Sequence, residues 1–139
     1  MSSVVAGLLL KANEARIVTL VGTRLSHQLQ AEKFNKLAVP KNPTQEDVAE
    51  FVRALSSFCL ANKVEKLVLN RRATSGQGAG GAGTFLLEGV LLASALVPVE
   101  FAHPQTMKAT DRKAGDSKAQ KPGTVDLGKA YDLAYEGLL

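Results

Sequence analysis

The chain opens on an apolar run, Val4 to Leu10. Apolar residues at both parities predict a strand covered on both faces. Ala12-Asn13-Glu14 interrupts it with a polar turn, and Ala15 to Val21, rich in β-branched residues, follows as a second strand. The pair reads as an antiparallel hairpin. Gly22 to Arg24 is another turn. His27 to Val39 is more polar, and its best strand is Lys33 to Val39, at an edge or on a half-exposed face. Pro40-Lys41-Asn42-Pro43 stops any regular element.

Thr44 then starts a helix. Thr44 and Asp47 have the spacing of a capping box, and Glu46 and Asp47 suit the positive helix N-terminus. Val48, Phe51, Val52, Leu55, Phe58 and Cys59 form one apolar stripe, which predicts a helix to about Asn62. Val64 to Asn70 reads as a strand. Thr84 is placed to cap an apolar helix from Phe85 to about Leu96. Pro98 to Ala102 is a short strand, and Pro104 suits the first turn of a short helix toward Lys108. Arg112 to Gly123 reads as irregular, and Thr124 as the cap of a last helix, Val125 to Leu138. The order β-β-β-α-β-α-β-α predicts one α/β domain over residues 1–139, with a mixed five-stranded sheet and helices on both faces.

Composition narrows the picture. Of 139 residues, 45% are hydrophobic but only 5% aromatic, with no Trp, so the core must be aliphatic. The single cysteine, Cys59, excludes an intramolecular disulfide framework and suits a reducing, cytoplasmic setting; its place in a helical stripe reads as a buried thiol. No segment reaches the roughly 18 apolar residues that span a bilayer, so no membrane role is expected. The formal net charge of +4 permits a nucleic-acid or phosphate partner without requiring one.

The candidate chemistry centres on Ser75 to Gly83, which holds five glycines in nine residues. Gly76, Gly78, Gly80 and Gly81 let backbone N–H groups turn toward an anion, ahead of a helix N-terminus. Arg71 and Arg72, just before the loop, are placed to pair a phosphate. The alternative is a connector whose glycines let the next helix pack closely. Gly78, Gly80 and Gly83 also match a dinucleotide fingerprint, with Glu100 near the ribose-acid position, but Gly78 lies too far beyond Asn70 for the required tight turn.

A second basic group, Lys108, Arg112, Lys113, Lys118 and Lys121, reads either as a mobile phosphate-gripping loop or as a solvated polar segment. His27 and His103 lack partners at zinc-ligand spacing, so His103 reads as a cap or turn residue. No nucleophile elbow surrounds Ser75. Asp132 and Glu136 lie four apart, either sharing a metal or forming a solvated face. Surplus apolar surface on the Phe85–Leu92 helix would point to a homodimer.

Gly7-Leu8-Leu9-Leu10-Lys11-Ala12-Asn13-Glu14-Ala15, followed by Leu69-Asn70-Arg71-Arg72 and Ala79-Gly80-Gly81, resembles a small uncharacterised bacterial family in the RuvC-like branch of the ribonuclease H-like superfamily. The resemblance implies that fold, and a site in which carboxylates from the first strand, the fourth strand and the last helix hold two divalent metal ions. Carried over, the first acid falls at Leu9, the second at Asn70 or Arg71, and the last-helix pair at Lys129 and Asp132. Only Asp132 is acidic. The expectation is a catalytically degenerate domain that binds nucleic acid or another phosphate-bearing ligand without a metal or other cofactor. A magnesium-dependent nuclease using Asp132 with Glu136 or Asp126 is the enzymatic alternative. A structural or protein-interaction subunit is the third.

Overall fold

The computed structural model of the chain describes residues 3–71 and 81–139. β1 (Ser3–Lys11) and β2 (Glu14–Gly22) form the expected antiparallel hairpin, and Ala12 at its turn has a left-handed φ of 55°. β5 (Lys66–Asn70) joins β1 in parallel, and β6 (Val99–Ala102) joins β5 in parallel.

The polar third strand is divided. β3 (His27–Gln30) pairs with Thr19–Gly22, and β4 (Lys36–Ala38) pairs with Glu14–Arg16. Both lie along one edge of β2, so the sheet is five strands wide with a broken outer strand, in the order β3-β2-β1-β5-β6. The expected strand Lys33–Val39 is therefore too long. Ala31 takes φ 53° in the break, and Phe34 packs inward, stacked on Phe58 with ring centroids 3.9 Å apart.

α1 (Gln45–Asn62) has both halves of its capping box. The Asp47 N–H donates to Thr44 Oγ1 (3.2 Å), and the Thr44 N–H donates to Asp47 Oδ2 (2.9 Å). α2 (Ala82–Ser94) starts earlier than expected, with Gly81 as its N-cap. Thr84 is not a cap: it lies buried in the first turn and donates its hydroxyl to the Ala12 carbonyl (3.1 Å).

α3 (Pro104–Ala114) is also longer than expected, and a 3-10 turn (Gly115–Ser117) follows it. The part from Arg112 to Ser117 is thus helical. His103 caps α3 by accepting the Gln105 N–H (3.3 Å), while Arg112 and Lys113 suit its negative C-terminal end. α4 (Val125–Gly137) follows Thr124, whose hydroxyl makes no capping bond.

Strand alternation divides the core. Ala6, Leu8, Leu10, Leu67 and Leu69 lie in the cluster with Phe51, Leu55, Phe58, Leu87 and Leu91 of α1 and α2. Val5, Val18, Leu20 and Val68 lie in the cluster with Tyr131, Leu133, Ala134 and Tyr135 of α4. Two cluster-forming faces explain why β1 is apolar at both parities. Gly7 makes the second interface possible, because a Cβ there would run into the backbone of Ala130 and Ala134.

Candidate functional site

The parallel strands β1, β5 and β6 end on one edge of the sheet, at Lys11, Asn70 and Ala102. Helix N-termini gather there. Gly83 in the first turn of α2 lies against Ala12 and Asn13, and Thr84 bonds to Ala12. α3 begins directly after β6, with His103 as its cap. α4 reaches the same edge through Asp126 in its first turn, whose Oδ2 lies 3.5 Å from Lys11 Nζ. Helix N-termini carry partial positive charge and unpaired N–H groups. In α/β sheets, ligands generally bind outside the carboxyl ends of the strands.

Arg71 stands at this edge. Its N–H donates to the Ala102 carbonyl (3.0 Å), and its guanidinium carbon lies 3.8 Å from the Phe101 ring centroid. The side chain is exposed and makes no ion pair among the described residues. Its place over the Phe101 ring pre-orients the guanidinium. Gly81 is exposed at the N-cap of α2, with open space where a Cβ would point. Arg72, Gly76, Gly78 and Gly80 lie outside the described residues. Beside Gly81, a groove of about 540 Å³ runs between the β1–β2 turn, the Pro40–Pro43 segment and the start of α2.

The positions of the implied acids are occupied by other chemistry. Leu9 packs against the α4-side core. Asn70 Oδ1 accepts the Leu10 N–H (3.0 Å), tying β5 to β1. Asp132 is 8% exposed and held by two lysines: its Oδ1 lies 2.9 Å from Lys118 Nζ, and its Oδ2 lies 2.9 Å from Lys121 Nζ. Lys118 also bonds Asp111, and its ammonium lies 4.8 Å from the Tyr135 ring centroid. Burial alone would lower the Lys118 pKa, but the hydrogen bonds and charges of Asp111 and Asp132 outweigh it and raise the value.

The other two candidate acids are spent similarly. Glu136 Oε2 pairs with Arg24 Nη2 (3.2 Å), and its Oε1 accepts the Thr110 hydroxyl (2.7 Å). Asp126 faces Lys11. Among the described residues, no three His, Cys, Asp or Glu side chains gather as a metal-binding group.

The basic candidates separate. Lys108, Arg112 and Lys113 are exposed on α3 and make no ion pair among the described residues, whereas Lys118 is buried and Lys121 is tied to Asp132. A single mobile loop carrying all five is therefore not what the chain forms. His27, unassigned by spacing, has its Nε2 2.6 Å from the buried Tyr131 hydroxyl and its Nδ1 3.1 Å from the Thr23 carbonyl. Burial raises the Cys59 thiol pKa, which suits a structural rather than a nucleophilic thiol. No helix among the described residues is long and apolar enough to cross a membrane.

The fold is ribonuclease H-like and RuvC-like. RuvC from T. thermophilus, solved in complex with a Holliday junction substrate, superposes with a TM-score of 0.71 at 16% identity, covering 96% of this chain and 90% of that one. A further Thermus thermophilus RuvC structure gives 0.70 at 17% identity, covering 95% and 91%. A Ppx/GppA family member from Aquifex aeolicus gives 0.50 at 14% identity, covering 86% of this chain but 41% of that one. No curated protein matches the chain. Residues 3–137 match the family described as "Protein of unknown function (DUF3010)", and the chain belongs to it.

Proposed function

We propose that the chain is a catalytically degenerate ribonuclease H-like domain that binds nucleic acid, or another phosphate-bearing ligand, along the carboxyl edge of its sheet. The observation that carries this reading is the lysine-neutralised Asp132, with Leu9 and Asn70 at the other implied acid positions. These donors do not fit two divalent ions: a leucine offers no ligand, an amide carries no negative charge, and the remaining carboxylate already faces two ammonium groups.

The same edge is suited to anions. Arg71 is pre-oriented on Phe101, three helix N-termini point there, and Arg72 with Gly76, Gly78, Gly80 and Gly81 supplies the adjoining sequence. Lys108, Arg112 and Lys113 extend the basic surface along α3. The RuvC neighbour solved on a Holliday junction supports nucleic acid as the ligand.

Fluorescence anisotropy with labelled single-stranded, duplex and junction DNA tests this. Binding is expected to weaken with salt, with a log–log slope of about −0.7 to −0.9 per phosphate contacted. Arg71→Ala with Arg72→Ala should weaken it by roughly tenfold or more, equivalent to about 1.4 kcal/mol. Inorganic phosphate should compete. Salt-insensitive binding, or full binding by the double variant, would overturn the assignment.

A further inference from the structure

The groove beside Gly81 has a chemistry of its own. At about 540 Å³ it falls within the roughly 300–1,000 Å³ that holds one small molecule. Val39, Pro40, Pro43 and Leu86 give it aliphatic walls. Among the described residues that line it, Lys41 is the one charged group, and there is no acid. Lys41 is exposed and makes no ion pair among the described residues. The first turn of α2, which forms one side of the groove, holds no acid either.

Two amides complete the lining. The Asn13 carbonyl accepts the Val39 N–H (2.9 Å), and Asn13 Nδ2 donates to the Val39 carbonyl. The side chain is thus pinned beside the β1–β2 turn, and its Oδ1 accepts no hydrogen bond among the described residues. Asn42 is exposed with φ 57°, and its amide makes no hydrogen bond among the described residues.

We infer that this groove receives one unpaired nucleotide of a nucleic-acid strand, base inward and phosphate toward Gly81 and Lys41. The inference rests on the phosphate-binding reading of the same edge and narrows it. A base is a flat body with donors and acceptors on its rim. The aliphatic walls take its faces out of water, and the free groups of Asn13 and Asn42 bond its rim. Lys41 and the acid-free start of α2 complement its phosphate. The groove is sized for one nucleotide rather than paired bases, so it selects a strand where pairing is interrupted. Extruding a base costs least where it is already unpaired. Arg71 and the α3 cations Lys108, Arg112 and Lys113 stand outside the groove lining. A strand brings further phosphates to them, which a free mononucleotide lacks.

Competition anisotropy on the full chain tests this with three labelled DNA duplexes of one length. One is fully paired, one carries a single unpaired deoxyadenosine, and one carries an abasic residue at that place. The unpaired adenine should bind roughly tenfold more tightly than either of the others. The abasic probe shares its bend and its phosphates, so that difference reads the base alone. Leu86→Trp fills the groove and should bring the adenine-to-abasic ratio to about one. Asn42→Gly removes the amide while keeping a residue that accepts φ 57°, so the fold should hold and the ratio should fall roughly threefold. Equal binding of the adenine and abasic probes, with binding still lost in the Arg71→Ala, Arg72→Ala double variant, would overturn the groove and leave the phosphate edge standing. No binding of any probe would overturn both. A preference kept by both groove variants would put the base elsewhere and overturn the inference, as would binding of adenosine monophosphate without binding of the strand.

Discussion

Burial strips hydration from an ammonium group and, acting alone, lowers its pKa. At Lys118 that tendency is outweighed by hydrogen bonds and charge from Asp111 and Asp132, and the value rises above the ordinary 10.5. Tyr131, against the same helix face, is pushed up to about 12, first by burial and then by Tyr135 and Asp132. Both groups hold their protons more tightly when folded than when unfolded. Their stabilising contributions are therefore complete below the unfolded values near pH 10 and are lost as pH rises through the folded ones. Urea melts should show a decline that starts above about pH 10 and that ultraviolet titration pairs with tyrosine ionisation near 12. At neutral pH, Lys118→Met should cost about 3 kcal/mol, because it leaves Asp132 buried with Lys121 alone. Adding Asp132→Leu should return part of that loss, since an apolar replacement removes the uncompensated charge. A single variant as stable as the parent would show that the lysine contacts contribute nothing to folding.

Between elements, the closest fit is α4 on β1. Gly7 and Gly137 admit it: a Cβ at Gly7 would strike the backbone of α4, and one at Gly137 would press on Val5 and Val68. Gly7→Ala should therefore cost about 3 kcal/mol, at the upper end for overpacking, or abolish folding; circular dichroism melts will show which. An unchanged melting temperature would mean that α4 is free to move off the sheet. Elements defined by local pattern were the ones legible in the sequence. The β1–β2 hairpin, the Thr44–Asp47 box and the β5 run depend on residues within a few positions of one another. Long-range partners decided the rest. Phe34 left the third strand to stack on Phe58, and Thr84 left its capping role to bond Ala12, 72 residues away. That Leu9 and Asn70 carry no charge was readable from the sequence, but the lysine contacts of Asp132 were not. Lys118 sits in a polar stretch that reads as solvated, and only the path of the chain from α3 to α4 brings it to a carboxylate 14 residues on.

At the scale of the whole molecule, the three acids of α4 each have a cation beside them, where the resemblance implied acids open to a metal. Asp132 takes Lys118 and Lys121, Glu136 takes Arg24, and Asp126 faces Lys11. A divalent ion entering here would displace an ammonium already in hydrogen-bonding contact, and would find no second carboxylate at Leu9 or Asn70 to offset its lost hydration. Ligand binding and stability should therefore be indifferent to metal. A chelator should leave the melting temperature and the DNA affinity unchanged, and excess magnesium or manganese should produce no cleavage of single-stranded, duplex or junction DNA. Lys118→Ala with Lys121→Ala provides the counter-test. It leaves Asp132 and Asp111, the two acids that share Lys118, without their ammonium partners. That variant should be less stable in chelator and regain melting temperature when manganese is added, a response the parent lacks. Metal-dependent cleavage by the parent, lost on Asp132→Asn, would show instead that the lysines give way to a catalytic ion and that the degenerate reading is wrong.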